Sequence, residues 1–244
     1  MLPKRLKKEP LIEVIWQVQF EDGQLVSDVL PGVLYSELRA KYPALKWHRL
    51  PTAQIPSEIA QIEPSLRFAP KGLMEEPGGS FVWQVGERVI TLNCRKPYVG
   101  WTRFKNTVSE LVHILIKSRL IPVPHYHSLR YIDFLSSEFS VGLSALQLKV
   151  ELGSAVLTER VQMRLEILEQ QCVHVLQVAT PTEVTSAEVK STGTVIDIET
   201  LPAEPPNSWD ALLEQLDMLH LHSKNLFFHQ ILKDETIQKL EPEY

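Results

Sequence analysis

The sequence predicts an α+β protein made of two packed ferredoxin-like halves, each of the βαββαβ type, with largely antiparallel sheets. Segments with period-two hydrophobicity, typical of half-buried strands, occur together with segments of helical period. In residues 1–139 the predicted order is strand, helix, strand, strand, helix, strand, which is the ferredoxin-like order. Residues 140–244 have a similar mixture of elements and end in a long helix, so we expect a second α+β half there.

The first strand and the first helix have clear patterns. In LIEVIWQVQF, alternate apolar residues share one face: Ile12, Val14, Trp16, Val18 and Phe20. A turn at Glu21-Asp22-Gly23 precedes a helix predicted from about Val29 to Tyr42. Pro31 then falls in the first helical turn, where a missing backbone N–H does no harm.

Residues 43–80 have no regular pattern. They contain six prolines and end in Gly78-Gly79. We therefore expect a long surface connection, with one short strand near Leu66–Phe68. Connections of this length are uncommon in compact domains and often take part in binding.

A hairpin, a helix and a strand are predicted for residues 81–135. The strands FVWQV and VITLNC are joined by Gly86-Glu87, a sequence typical of a type II′ turn. An apolar stripe then predicts a helix from Trp101 to Arg119, which Pro122 and Pro124 end. HSLRYIDFL is rich in β-branched and aromatic residues, which indicates a strand.

The second half is predicted to contain three further strands. RVQMRLEIL and CVHVLQVAT flank a turn at Glu169-Gln170, and a polar link, PTEVTSAEVKST, leads to the strand GTVIDIET. Residues 141–152 fit either a short helix or a strand. The C-terminal helix begins at Asn207 or Ser208 and carries an apolar stripe that includes Trp209 and Phe227.

Composition narrows the function classes. The hydrophobic content of 44% and charged content of 23% are ordinary for a globular protein, and the net charge is -5. No general positive field therefore attracts nucleic acid or an anionic membrane. The basic residues near the N-terminus are expected to be a solvated arm. We find neither a membrane-spanning stretch nor a secretory signal, so a cytoplasmic location is expected.

Motifs for catalysis or cofactor binding are missing from the sequence. There is no GxSxG, P-loop, GxGxxG or HExxH motif and no CxxC pair. Cys94 and Cys172 lie in predicted strands and are interpreted as buried apolar residues. His125 and His127 share a strand face, but no third metal ligand is evident. We therefore predict no metal site, no cofactor and no catalytic residue.

Four residues are candidates for binding a partner: Tyr98, Trp101, Arg130 and His220. The string PYVGW fits either a binding platform or a staple that docks the following helix. Arg130 and Asp133 would be costly if buried unpaired, and Arg130 could pair with Asp197 or Glu199. Asp133, Asp197 and Glu199 could hold a divalent cation only if the fold brought them together; exposed strand charges are the favoured interpretation. His220 fits a hydrogen-bonded histidine at the edge of the core.

Several strings resemble a sporadically distributed family of bacterial and archaeal proteins. They are EPLIEV, PYVGW, LRYID, VIDIE, and His220 followed by Phe227, in that order between Pro10 and about Leu240. The family carries P-L-x-E, P-Y-x-G-W, R-Y-I-N and H-x6-F strings, so Asp133 stands where it usually has Asn. The resemblance implies that both halves occur together. It implies no activity, and its patchy distribution suggests toxin–antitoxin or defence loci.

We therefore predict a non-enzymatic protein-binding module, of the kind an antitoxin or a defence-system accessory protein would be. The surface around Tyr98, Trp101 and residues 43–80 is the expected contact. The alternative is an RNA-binding or RNA-processing protein with tandem ferredoxin-like domains, in which Arg130, His125, His127 and Tyr131 would act near a phosphate. No membrane contact is expected. The oligomeric state is left open, a dimer included.

Overall fold

The computed structural model describes residues 2–21, 24–56, 59, 62–124, 126–139, 142–186 and 189–244. It confirms an α+β protein with mostly antiparallel sheets. The strands are β1 (Arg5–Leu6), β2 (Leu11–Gln19), β3 (Lys46–Arg49), β4 (Pro70–Glu75), β5 (Phe81–Gly86), β6 (Val89–Arg95), β7 (Tyr126–Ser136), β8 (Val150–Leu152), β9 (Ala155–Leu157), β10 (Val161–Leu168), β11 (Cys172–Ser186), β12 (Val189–Pro202) and β13 (Pro242–Glu243).

The helical elements include two long helices that were predicted closely and one that begins earlier than predicted. The α-helices are α1 (Gln24–Lys41), α2 (Pro64–Arg67), α3 (Trp101–Ser118), α4 (Trp209–Asn225) and α5 (Asp234–Lys239). A π-helical turn, Leu226–Ile231, follows α4, and 3-10 turns form at Pro51–Gln54 and Gly142–Ala145. None of the helices in the described part of the chain is long and apolar enough to cross a membrane.

Contacts divide the chain into two compact units. Unit 1 contains Met1–Ile12, Arg130–Ala203 and Met218–Tyr244, and unit 2 contains Glu13–Leu129 and Glu204–Asp217. These units differ from the predicted halves, 1–139 and 140–244. The chain passes from one unit to the other within β2, within β7, before the start of α4 and within α4, so each unit takes segments from both halves.

Unit 2 has an antiparallel sheet in the order β2-β6-β5-β4-β3. Its register places Trp16 opposite Leu92, Leu92 opposite Trp83, and Trp83 opposite Met74, so that four buried side chains form one row. Cross-strand pairs of this kind stabilise a sheet on its buried face. Helices α1 and α3 contact each other and carry two ion pairs, Lys41–Glu110 and Lys117–Glu37.

Residues 43–80 contain more regular structure than the predicted loop. Strands β3 and β4 form here, and the short strand expected near Leu66–Phe68 is wrong because α2 covers most of that stretch. All four residues of β3 are exposed, so β3 has no hydrophobic alternation. Gly72 of β4 faces Trp47, whose ring lies where a Cβ atom at position 72 would stand. A side chain at position 72 would therefore clash with the Trp47 ring.

Unit 1 contains the strand order β10-β11-β12-β7, and the Phe134 N–H of β7 donates to the Pro10 carbonyl at 2.9 Å. Within the described residues no helix separates β10, β11 and β12, so this half does not follow the βαββαβ order. The predicted polar link PTEVTSAEVKST instead contains the end of β11 and the start of β12. The register shifts between Ala179 and Thr182, on either side of Pro181, as is usual at a β-bulge.

The core of unit 1 lies on the face of β11 and β12 that carries even-numbered residues. Leu176 and Val178 of β11 stand opposite Ile198 and Ile196 of β12. The remaining buried members come from β1, β7 and β10, the 3-10 turn and the residue after it, and the segments after α4: Leu6, Leu135, Leu143, Ala145, Leu146, Val161, Leu226, Phe227, Ile231, Leu232, Ile237 and Leu240. The polar residues on the same face are therefore drawn toward the interior.

Candidate functional site

Tyr98 and Trp101 are both half-buried at the start of α3. The Trp101 Nε1–H donates to Asp217 Oδ1 at 3.0 Å, and Lys105 Nζ donates to Asp217 Oδ2 at 2.5 Å. The ring of Trp101 also lies 6.2 Å from that of Phe104. These contacts suit the helix-docking alternative for PYVGW. A partner contact at Tyr98 and Trp101 stays a prediction.

Arg130 forms the ion pair that the sequence suggested. Its Nε donates to Asp197 Oδ1 at 2.7 Å, and its Nη2 donates to Asp197 Oδ2. Asp197 is buried and the Arg130 side chain is about one-third exposed. A two-pronged contact with a carboxylate suits the planar guanidinium. The pairing of Arg130 with Asp197 is thus confirmed, and it joins the neighbouring strands β7 and β12.

Asp133 is buried three residues farther along β7, so its interpretation as an exposed strand charge, like that of Asp197, is wrong. Burial raises its pKa to about 8, with smaller contributions from the charges of Glu9 and Asp197. Its carboxyl group is therefore largely protonated at neutral pH. Among the described residues, Asp133, Asp197 and Glu199 do not form a group that could hold a metal ion.

His220, on α4, makes a hydrogen bond with the Tyr131 hydroxyl, with 2.7 Å between Nδ1 and the oxygen. The two rings also lie near each other, 6.0 Å between centroids. His220 is half-buried. The interpretation of His220 as a hydrogen-bonded histidine at the edge of the core is confirmed.

His127 is fully buried in unit 2, while His125 lies outside the described residues. The Nε2 atom of His127 lies 2.8 Å from Gln215 Oε1, and among described groups Nδ1 has no hydrogen-bond partner. Burial lowers the pKa of His127 to about 4, and the hydrogen bond to Gln215 raises this pKa by a smaller amount. The ring is therefore neutral at pH 7.

This low pKa predicts acid sensitivity. Because an unfolded histidine takes up a proton below about pH 6.5, the free energy of unfolding should fall by about 3 kcal/mol as the pH drops to about 4. An NMR titration of the histidine ring protons should show His127 neutral until about pH 4. Protonation of His127 near pH 6.5 in the folded protein would contradict this expectation.

Four potential metal-ligating side chains meet in unit 1. Glu169, Cys172, His174 and His222 each offer one ligand atom, and these atoms all lie within 4.8 Å of one another. Cys172 Sγ is 3.5 Å from His174 Nε2 and 3.7 Å from Glu169 Oε2. Glu169 Oε2 is 3.7 Å from His174 Nε2 and 2.6 Å from His222 Nδ1. We call these residues the four-ligand cluster.

Local structure explains how three of these side chains meet. Cys172 and His174 are two residues apart on β11, so both point to the same face of the sheet, and both are fully buried. Glu169 lies in the turn that follows β10, and its backbone N–H donates to the Cys172 carbonyl at 2.9 Å. The turn therefore brings the carboxylate back over the start of β11.

Helix α4 supplies the fourth side chain, His222, which is about one-quarter exposed. His220 and His222 lie two residues apart on this helix and point in different directions. His220 bonds with Tyr131, whereas His222 contacts the β10–β11 turn. The Nε2 atom of His222 lies 3.2 Å from Gln171 Oε1.

Electrostatics in the cluster favour a neutral Cys172 thiol, a neutral His174 imidazole and an ionised Glu169 carboxyl group. Burial, followed by the charge and hydrogen bond of Glu169, raises the pKa of Cys172 to about 12. Burial also lowers the pKa of His174, although Glu169 opposes this. Burial alone would raise the pKa of Glu169, but the hydrogen bond from His222 and the nearby histidines lower it overall.

The cluster was missed in the sequence because its ligands have no familiar spacing. Glu169, Cys172 and His174 form the pattern E-x2-C-x-H, and His222 follows on a helix after another strand. Cys172 is indeed a buried free thiol, as predicted, yet its neighbours are polar rather than apolar. The one local signal is a cysteine and a histidine two apart at the start of a strand, just after an acidic turn.

Comparison with protein-family models gave no match, and comparison with curated protein sequences gave none. The resemblance carried by PYVGW, LRYID and the other strings therefore stays a prediction.

Proposed function

We propose that the protein is a non-enzymatic protein-binding module that pairs with an extended segment of its partner along strand β10. The observation that carries this proposal is the position of β10 at one end of the strand order in unit 1. One side of β10 pairs with β11 over eight residues, and no described strand pairs with its other side. Such an edge presents backbone N–H and C=O groups to an incoming strand.

The side chains of β10 support the same use. Leu165 and Leu168 are exposed, at 38% and 77%. The hairpin β8–β9, directly before β10 in the chain, also exposes apolar side chains at Leu152 and Val156. Leu165 and Leu168 lie on opposite faces of β10, so each face of this edge offers an exposed apolar side chain to an added strand.

The chemistry of β10 indicates what kind of segment it would accept. Met163 and Ile167 pack against the core, so the residues that alternate with them point outward. Two of these, Arg164 and Glu166, form an ion pair of 2.6 Å and largely neutralise each other. An extended, uncharged segment with alternating apolar side chains therefore fits best, since backbone bonds would give affinity and the exposed leucines selectivity.

We also propose that unit 2 is a ferredoxin-like unit enlarged by the antiparallel strand pair β3–β4. In its support, β2, α1, β5, β6 and α3 follow one another in that order, and β6 lies between β2 and β5. The contact between α1 and α3 fits a pair of helices covering one face of the sheet. Folds of this kind serve many functions, so this proposal does not affect the choice of partner.

A role as an antitoxin or a defence-system accessory protein rests on the resemblance alone. The RNA alternative depends on groups that already have contacts within the protein. Arg130 is bonded to Asp197, Tyr131 to His220, and buried His127 to Gln215. RNA binding is therefore the competing function that the following experiment distinguishes.

The proposal predicts that Leu165→Lys combined with Leu168→Lys abolishes partner binding while the protein stays folded. Two lysines would add charge to an edge that must meet an apolar strand. The tagged full-length chain, purified from its native host, should retain a stoichiometric protein after nuclease treatment. With that protein purified, affinity should fall at least about tenfold in the double variant, and the β10 amides should gain hydrogen-exchange protection in the wild-type complex.

The matched control replaces two exposed apolar residues elsewhere, Val29→Lys and Ile116→Lys, and should keep wild-type affinity. Equal affinity in the β10 variant, or no protection of β10, would overturn the proposed contact. Bound RNA of defined length without a stoichiometric protein would overturn the function in favour of RNA binding. A dimer lost in the β10 variant would assign the edge to a second copy of this chain instead.

A further inference from the structure

The four-ligand cluster has the donor set and the spacing of a tetrahedral zinc site. Zinc bonds of about 2.3 Å to sulfur and about 2.0–2.1 Å to nitrogen or oxygen place neighbouring ligands roughly 3.3–3.6 Å apart. Cys172 Sγ, His174 Nε2 and Glu169 Oε2 are mutually separated by 3.5, 3.7 and 3.7 Å. Three ligand atoms thus already stand close to the required positions.

The fourth contact is shorter for a chemical reason. His222 Nδ1 lies 2.6 Å from Glu169 Oε2, which is a hydrogen-bond distance. With a metal ion in place of the shared proton, these two atoms would move apart by about 0.7 Å. His222 and Glu169 are each about one-quarter exposed, so the cluster is open to solvent on their side. This side offers an entry path for the ion.

Each histidine also has an acceptor that would orient it for coordination. For His174 Nε2 to bind a metal, Nδ1 must carry the proton, and Thr200 Oγ1 lies 2.9 Å from it. For His222 Nδ1 to bind, Nε2 must carry the proton, and Gln171 Oε1 lies 3.2 Å from it. Metal-bound histidines nearly always donate their second N–H in this way. The β11–β12 register, which pairs His174 with Thr200, builds one of these supports into the sheet.

From this geometry we infer that Glu169, Cys172, His174 and His222 bind one zinc ion, which fastens helix α4 to the β10–β11 turn. A thiolate, two imidazoles and a carboxylate suit zinc better than magnesium or calcium, which prefer oxygen ligands. Four protein ligands complete the tetrahedron, so the ion has a structural role and leaves no position for substrate. Glu169 directly follows Leu168, so this site adjoins the end of the β10 edge proposed for partner binding but uses different side chains.

The test uses the purified full-length chain, stripped with a chelator and titrated with zinc against a chromophoric competitor. One equivalent should bind, and zinc should raise the melting temperature because it binds the folded form. Cobalt, as a spectroscopic probe, should give a tetrahedral spectrum with a thiolate-to-cobalt charge-transfer band. Cys172→Ser should remove that band, and both Cys172→Ser and His222→Gln should weaken zinc binding at least about tenfold.

The chain supplies a matched control for each ligand variant. Cys94 is the other buried free cysteine, and His220 lies two residues from His222 on the same helix. Cys94→Ser and His220→Gln should keep wild-type zinc affinity and the charge-transfer band. Thr200→Val, which removes the support of His174, should weaken binding by about tenfold with the band retained.

Metal-free unfolding curves will show whether each variant still folds, so that lost binding is not confused with lost structure. Failure of the wild type to bind one equivalent of zinc would overturn the inference. Equal zinc affinity in the wild type, Cys172→Ser and His222→Gln would overturn it as well. If one of these variants fails to fold, Glu169→Gln takes its place, because Glu169 is a partly exposed ligand. This variant should also bind zinc at least about tenfold more weakly than the wild type.

Discussion

Replacing Asp133 by asparagine should stabilise the protein at neutral and alkaline pH. The folded carboxyl group has a pKa of about 8, whereas an unfolded aspartate ionises near pH 4. Between these values the unfolded chain loses a proton that the folded protein retains, so the free energy of unfolding falls as the pH rises. The loss in the wild type is about 1.4 kcal/mol per pH unit. The free energy of unfolding of Asp133→Asn should therefore exceed that of the wild type by on the order of 4 kcal/mol at pH 7.

Urea unfolding at about pH 5, 7 and 9 measures this effect. The difference in the free energy of unfolding between Asp133→Asn and the wild type should grow with pH. Asp210→Asn changes the same group at an exposed position and should shift stability by less than about 1 kcal/mol. A difference that does not grow with pH would show that Asp133 is ionised in the folded protein.

Arg130→Met should destabilise the protein by about 2–3 kcal/mol. The substitution keeps a long side chain but leaves the buried carboxylate of Asp197 without its guanidinium partner. Part of the Arg130 side chain is exposed, so water compensates some of the loss. Removing both charges, in Arg130→Met with Asp197→Leu, should recover part of this stability, because neither an unpaired charge nor its desolvation remains.

A double-mutant cycle in urea separates this coupling from simple loss of packing. The exposed pair Lys117–Glu37, with side chains 73% and 40% accessible, provides the comparison. Lys117→Met should cost less than about 1 kcal/mol, since water screens exposed charges. If Arg130→Met costs no more than Lys117→Met, the Arg130–Asp197 contact does not stabilise the fold.

The elements that hydrophobic periodicity predicted well are those with one buried face. Strand β2 was predicted over 11–20 and forms over Leu11–Gln19, and α3 was predicted from Trp101 to Arg119 and ends at Ser118. In both elements the buried residues recur with the period that the sequence shows, because burial of one face determines both the hydrophobic pattern and the structure. The fully exposed β3 has no such alternation, and β4 carries a glycine that packs against Trp47. Neither could be recognised from its own residues.

In the candidate site, too, some contacts could be predicted from the sequence and others could not. Contacts between neighbouring strands, such as Arg130 with Asp197, could be anticipated because unpaired charges in an apolar strand require partners. The four-ligand cluster could not, since His222 reaches Glu169 only through the way α4 packs on the β10–β11 turn. Such a meeting depends on tertiary structure, and no spacing in the sequence encodes it.

The pairing of β1 with β13 has a consequence for biosynthesis. Arg5 stands opposite Glu243, and Lys8 forms an ion pair with Glu241, so some of the first and last described residues belong to one unit. A ribosome makes all of unit 2 before it reaches Met218, whereas unit 1 lacks its closing segment until Glu243 has emerged. Strand β1 therefore stays unpaired until β13 has been made, so unit 1 is completed only at the end of synthesis.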